Sequence, residues 1–173
     1  MKYYIDLPEY FNKFVKSIDI SSIENFYGHT WKRFSPNDVL TQDGLNWFNE
    51  RNLQIHHCNL FNLHEQTVGH IHVDVIGNNF AGFALNFILH GEGEMQWTEI
   101  DGELSLQKKH NSYFYGYENI KNITILERWS GNMAIVKVNI PHRVISYDTR
   151  RVVLSLRFMQ PYTFENFEKI LSS

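Results

Sequence analysis

Cysteine is almost absent from this chain: Cys58 stands alone among 173 residues. No internal disulfide is possible, so the fold must rest on buried apolar area, and a reducing, cytoplasmic setting is expected. Long apolar runs are missing too. A membrane-spanning helix needs roughly 18 apolar residues in succession, and no stretch approaches that length. The opening Met1-Lys2-Tyr3-Tyr4-Ile5-Asp6 lacks the basic and then apolar segments of a secretory signal. Excess positive charge is likewise absent, with a formal net charge of -3. Binding to a nucleic-acid backbone draws on clustered Lys and Arg, so no nucleic-acid partner is expected, and Lys108-Lys109 reads as a solvated turn. No linker, repeat or low-complexity segment interrupts the chain.

What remains is apolar and aromatic. Hydrophobic residues make up 43% of the sequence and Phe, Trp and Tyr 15%, enough for one domain spanning 1–173 with a real core. Residues 1–52 read as a helical part. Asp6 and Pro8 open one helix in which Phe11, Phe14, Val15 and Ile18 share a stripe. Ser21-Ser22 caps a short turn. Ser35-Pro36-Asn37-Asp38 opens a second helix, which Gly44 weakens and Asn52 ends. From Gln54 the pattern changes to short apolar runs separated by Gly, Asn and Asp. Strands are expected at Gln54–Asn62, Val68–Val75, Phe83–Leu89, Glu94–Ile100, Glu103–Lys108, Ile123–Arg128, Met133–Val138, Arg143–Tyr147 and Arg151–Phe158. Asp101-Gly102 reads as a two-residue hairpin turn. Thr163 caps a last helix over 163–172, with Phe164, Phe167 and Leu171 on one face. A β core over 54–158 with flanking helices is a mainly β fold, a sandwich or jelly roll.

Chemistry enters at His72-Val73-Asp74. In a strand the side chains alternate faces, so His70, His72 and Asp74 point one way and Ile71, Val73 and Val75 the other. His72 and Asp74 then lie within reach of one metal ion. His142, stiffened by Pro141 and leading the next strand, is the best third ligand. Two imidazoles and one carboxylate can hold one face of an octahedral Fe(II) and leave three positions open. Downstream, Arg151, Val153, Ser155 and Arg157 share one face of the last strand. Arg151 is placed to clamp the far carboxylate of a 2-oxo acid as a bidentate partner. Arg157 reads equally as a surface residue or a second anion contact. Gly91-Glu92-Gly93-Glu94 reads as a turn and not a phosphate loop, since no helix start follows it. Trp31, Trp47, Trp97 and Trp129 read as core.

Four segments carry a family resemblance: Gly69-His70-Ile71-His72-Val73-Asp74, Ala84-Leu85-Asn86-Phe87-Ile88-Leu89, Asn139-Ile140-Pro141-His142-Arg143-Val144 and Arg151–Phe158. Together they span roughly residues 54–158. In this order they resemble the Fe(II)/2-oxoglutarate-dependent oxygenases, specifically the small prolyl or aspartyl/asparaginyl hydroxylase-like members of phage and bacterial type. The resemblance implies a double-stranded β-helix, also called a cupin-like jelly roll. It implies Fe(II) held by His72, Asp74 and His142, and 2-oxoglutarate held by Arg151, with Asn86 lining the same pocket. Where some members carry a serine two residues after the arginine, this chain has Val153, so the pocket hydroxyl falls to Tyr113, Tyr115 or Ser155. The implied activity is a dioxygenase that hydroxylates a C–H bond and releases succinate and CO2.

Two other readings stand beside it. In a cupin-type metal enzyme, His70 and His72 would be the paired ligands, but Asp74 follows them sooner than a cupin glutamate does. In a jelly-roll binding or assembly protein the triad would be vestigial or coincidental. The prime substrate stays open among a protein side chain, an amino acid and a small molecule. The segments Asn78–Gly82 and Lys109–Asn122 are expected as loops framing the pocket mouth, the second of them carrying Tyr113, Phe114, Tyr115 and Tyr117.

Overall fold

A computed structural model describes residues 1–20, 31–74, 80–109, 112–159 and 162–172. In chain order the strands are β1 (Tyr4–Asp6), β2 (Trp31–Phe34), β3 (Ile55–Leu63), β4 (His72–Val73), β5 (Phe80–His90), β6 (Gly93–Lys109), β7 (Ser112–Trp129), β8 (Met133–Lys137), β9 (His142–Ser146) and β10 (Arg151–Met159). The helices are α1 (Pro36–Val39), α2 (Gln42–Glu50) and α3 (Phe164–Ser172), with a 3-10 helix at Glu9–Phe14. Among the described residues no helix is long and apolar enough to cross a membrane.

The strands form two antiparallel sheets of a jelly roll. One has the order β1-β8-β5-β10-β3-β2, and the other joins β4, β7, β6 and β9 in a closed ring. β10 runs between β3 and β5, and its two-residue period separates two environments. Val152, Leu154, Leu156 and Phe158 are all fully buried. They enter a core with Cys58, Leu60, Phe83, Leu85, Phe48 and Phe167, where α2 and α3 cover the six-stranded sheet. Phe158 stacks on Phe83 at 5.4 Å and meets Phe167 edge-on at 5.5 Å. The other face of β10 looks into the space between the sheets, beside a second core of Ala84, Met95, Trp97, Trp129, Ala134, Val136 and Val138.

The N-terminal part departs from the expected helical reading. Only Glu9–Phe14 is helical before residue 20, as a 3-10 turn that buries Phe11 and Phe14. Tyr4–Asp6 instead adds a strand to β8, pinned where Trp129 Nε1 donates to Asp6 Oδ1 at 2.8 Å. Trp31–Phe34 likewise pairs with β3. Tertiary pairing overrides local helix propensity in both segments. α2 runs through Gly44, where glycine permits close packing: a Cβ there would lie 2.7 Å from the Phe14 carbonyl oxygen. Asn52, at φ 55°, ends the helical segment as expected. The Ser21-Ser22 turn lies outside the described residues.

The expected hairpin at Asp101-Gly102 is also corrected. β6 runs on through both residues to Lys109, and the ladder with β7 merely shifts register between Asp101 and Glu103. A bulge lets a long strand bend without reversing. The expected loop Lys109–Asn122 is accordingly strand from Ser112 onward. Gly82 lies within β5, while Asn78 lies outside the described residues. α3 is capped as expected, with Thr163 Oγ1 accepting from the Asn166 amide at 3.2 Å.

Leu154 tests the division of β10. Leu154→Ala is expected to destabilise the fold by about 2–5 kcal/mol, the scale of a buried leucine truncated in a packed core. The urea midpoint of the variant checks this.

Candidate metal centre

β4 is only two residues long, yet it is tied on both sides. His72 pairs with His142 of β9 and with Gly116 of β7. Before it, the Gly69 amide donates to the Val144 carbonyl at 2.8 Å, and after it the Asp74 amide donates to the Val138 carbonyl at 3.0 Å. The strand expected over Val68–Val75 is thus shorter, with Val68 joined to Ile145 by an isolated bridge and Val75 outside the described residues. The segment still sets His72 and His142 side by side, their rings 4.5 Å apart.

The donor atoms of His72, Asp74 and His142 all lie within 4.8 Å of one another. Each imidazole is oriented from behind in the same way. His72 Nδ1 donates to the His70 carbonyl at 2.9 Å, and His142 Nδ1 donates to the Ile140 carbonyl at 2.8 Å. A carbonyl partner fixes the proton on Nδ1, which leaves the Nε2 lone pair of both rings for a metal. Asp74 Oδ1 lies 3.4 Å from His72 Nε2. Two oriented imidazoles and one carboxylate are a donor set that suits Fe(II) and leaves ligand positions open. His70, the alternative ligand, has an exposed side chain and supplies only its carbonyl.

Asp74 has a second partner. Arg157 Nη1 lies 2.5 Å from Asp74 Oδ2, an ion pair between the two sheets in which no N–H aligns as a regular hydrogen bond. Burial by itself would raise the Asp74 value. The Arg157 guanidinium, the hydrogen bond with His72 and the nearby imidazoles outweigh it and hold the carboxyl well below the usual range. Burial likewise opposes a proton on His72, but its hydrogen bond and attraction to Asp74 raise its value above the ordinary imidazole. For His142, burial and then the neighbouring His72 lower the value to about 4.

The inner face of β10 continues away from this centre. Ser155 lies in register between Asn59 of β3 and Asn86 of β5. Ser155 Oγ, Asn59 Oδ1 and Asn86 Oδ1 are buried without a hydrogen-bond partner. The next register, Phe61, Val153 and Ile88, is apolar. Arg151 closes the row. It is 2% exposed, its Nη1 donates to the Ile145 carbonyl at 3.2 Å, and its Nε has no partner. Gly93 makes room for it, since a Cβ there would lie 2.0 Å from the Ile145 carbonyl oxygen and 2.9 Å from Arg151 Nη1. Burial lowers the Arg151 value to about 10, against the pull of Tyr147 and Glu94, so the guanidinium stays charged at neutral pH. It also lines a cavity of about 330 Å³ with Tyr147, Asn132 and Glu92.

The three expected ligands therefore meet, while Arg151 sits at the opposite end of β10 from the Asp74 contact. Arg157 is the residue at the triad, and a strict two-residue count from Arg151 already places it on that face. Asn59 carries no mark in the sequence, because its place beside Ser155 depends on cross-strand register. Tyr115 is 38% exposed and so does not line the buried row; the side chain of Tyr113 lies outside the described residues.

No family model and no curated protein match the chain. Among solved structures it is similar to vicilin from hazelnut, Corylus avellana, at 12% identity and TM-score 0.38, over 74% of this chain and 29% of that one. It is also similar to hydroquinone 1,2-dioxygenase PnpCD, in a complex with Cd2+ and 4-hydroxybenzonitrile, at 10% identity and TM-score 0.35, over 62% of this chain and 60% of that one. The chain thus spans less than two thirds of either protein.

The two imidazoles should titrate apart in metal-free protein. His72 should gain its proton above the ordinary value of about 6.5, and His142 only near pH 4. A folded value below the unfolded one means that the unfolded chain binds more protons between the two. The His142 contribution to stability is therefore complete above about pH 6.5 and is lost as pH falls toward 4. Imidazole proton shifts followed by NMR from pH 8 to pH 4 check this order.

Proposed function

We propose that this chain is an Fe(II)- and 2-oxoglutarate-dependent dioxygenase that hydroxylates a C–H bond of a protein side chain, an amino acid or a small molecule. The observation that carries this reading is the ordered inner face of β10. From the triad outward it presents a neutral polar row at Asn59, Ser155 and Asn86, an apolar row at Phe61, Val153 and Ile88, and the cation Arg151. A short 2-oxo dicarboxylic acid has the same sequence of groups: a polar keto-acid head, two methylenes and a terminal carboxylate.

Charge supports the same ligand. Arg157 offsets Asp74, and His142 is neutral at pH 7. A divalent ion would therefore bring two positive charges with little compensation from the protein, and a dianion neutralises them.

His72 and His142 would offer Nε2, and Asp74 would offer Oδ1. When bound with 2-oxoglutarate and O2, Fe(II) supplies the oxidative decarboxylation to succinate and CO2 and the hydroxylation of the substrate. The chain binds and orients. Arg151 takes the distal carboxylate through its unpartnered Nε and the fork beside it, and Asn86 and Ser155 flank the head. The buried row around Ser155 excludes bulk water. A reducing cytoplasm would keep both the iron and Cys58 reduced.

A second reading is a cupin-type metal enzyme that takes an organic substrate directly to the same triad. The existing bond from Arg151 Nη1 to the Ile145 carbonyl favours it.

An anaerobic titration separates the two. Fe(II) with 2-oxoglutarate should give the weak visible charge-transfer band of an iron–keto acid chelate. Arg151→Ala should weaken 2-oxoglutarate binding by about 1.5–3 kcal/mol, the scale of a charge-assisted hydrogen bond, while Fe(II) binding persists. In air, succinate should form slowly alone and faster once the prime substrate is supplied. Absence of both band and succinate, with peptides or lysate present, would defeat the 2-oxoglutarate reading.

A further inference from the structure

Arg157 has no part in the ligand set, yet it forms an ion pair with one of its members. Its guanidinium crosses from β10 of the six-stranded sheet to Asp74, just past β4 of the other sheet, with Nη1 2.5 Å from Oδ2. The two carboxylate oxygens thus face different ways. Oδ1 looks to His72 Nε2 at 3.4 Å, and Oδ2 looks to the arginine. Among the described residues, His72 and Arg157 are the side chains that hold the Asp74 carboxylate. Its own strand is two residues long, and its main-chain tie beyond β4 is the amide bond to Val138. The carboxylate is about one-quarter exposed, so without Arg157 it could swing outward or offer both oxygens to an ion.

We propose that Arg157 is a positioning residue that holds Asp74 as a one-oxygen metal ligand, by occupying Oδ2 and aiming Oδ1 at the space between His72 and His142. This rests on the metal reading above. The consequence is geometric. A carboxylate that coordinates through both oxygens takes two positions around the ion, and one that uses a single oxygen takes one. Holding Oδ2 would leave that second position for other ligands of a bound ion. Arg157 can serve because it presents a fork of donors with a permanent charge and stands on a fully paired strand whose other face is locked in the core. A ligating carboxylate that loses such a partner commonly binds its metal on the order of 10–100-fold more weakly.

Co(II) is a suitable probe, because its d–d absorption reports the ligand set without turnover. The test is Co(II) titration, by calorimetry and absorption, of the whole chain as wild type, Arg157→Met and Arg157→Lys. Arg157→Met should bind Co(II) about tenfold more weakly or worse and show an altered d–d spectrum. Arg157→Lys, which keeps one charged donor for Oδ2, should recover most of the affinity and the wild-type spectrum. Should Arg157→Met fail to fold by circular dichroism, Arg157→Ala, which likewise removes every donor to Oδ2, takes its place with the same expectation. Wild-type affinity and spectrum in the Met or Ala variant would overturn the proposal. So would a lysine variant no better than the methionine one, because the loss would then follow packing and not the contact to Oδ2. Failure of the metal reading looks different: the wild type itself would take up no Co(II), or would bind it equally well with His72→Ala.

Discussion

If β10 slipped by one residue, Leu154 and Leu156 would point into the space between the sheets, and Arg151, Ser155 and Arg157 into the aromatic core. The two-residue alternation of this strand is the constraint on which the molecule depends. Val152, Leu154, Leu156 and Phe158 anchor one face against α2, α3 and the phenylalanine cluster. A buried arginine facing that cluster would cost far more than the strand ladder could offset, so the register is strongly determined. The same register delivers Arg157 to Asp74 and lines up Asn59, Ser155 and Asn86. Core packing and site geometry are two sides of one strand.

The triad inherits its precision from the backbone more than from side-chain packing. His72 and His142 are direct cross-strand partners, so their separation is set by the ladder spacing. Each ring is then turned by a carbonyl two residues earlier in its own chain. Such local hydrogen bonds survive small motions of the sheets relative to each other. Asp74 differs, because it sits past the end of the short β4 and takes its position from Arg157 on the opposite sheet. The centre is therefore assembled from two locally fixed imidazoles and one carboxylate fixed at long range.

Much of this was legible from residues alone, and what escaped has physical causes. Most strands between Ile55 and Met159 announced themselves by alternation and by Gly and Asn punctuation, and His72, Asp74 and His142 by their types and places on strands, but the stretch of β7 from Ser112 to Asn122 reads as a loop in the sequence. The N-terminal strands β1 and β2 did not, because three or four residues carry too little pattern and their pairing partners β8 and β3 lie far along the chain. Asp101-Gly102 misled, since a bulge and a hairpin draw on the same turn residues. Arg157 was visible as a residue on the Arg151 face, but its partner was not, because a contact between sheets leaves no mark on the spacing of either strand.

In the proposed centre His72, Asp74 and His142 hold one metal ion through two imidazole Nε2 atoms and a single carboxylate oxygen. X-ray absorption at the iron edge of the Fe(II)-loaded chain, prepared anaerobically, tests it directly. Two imidazoles and one carboxylate oxygen from the protein are expected, with the remaining positions filled by water and two of them exchanged for a chelate when 2-oxoglutarate is added. A third imidazole, a carboxylate bound through both oxygens, or an ion whose protein ligands persist in His142→Ala would contradict it.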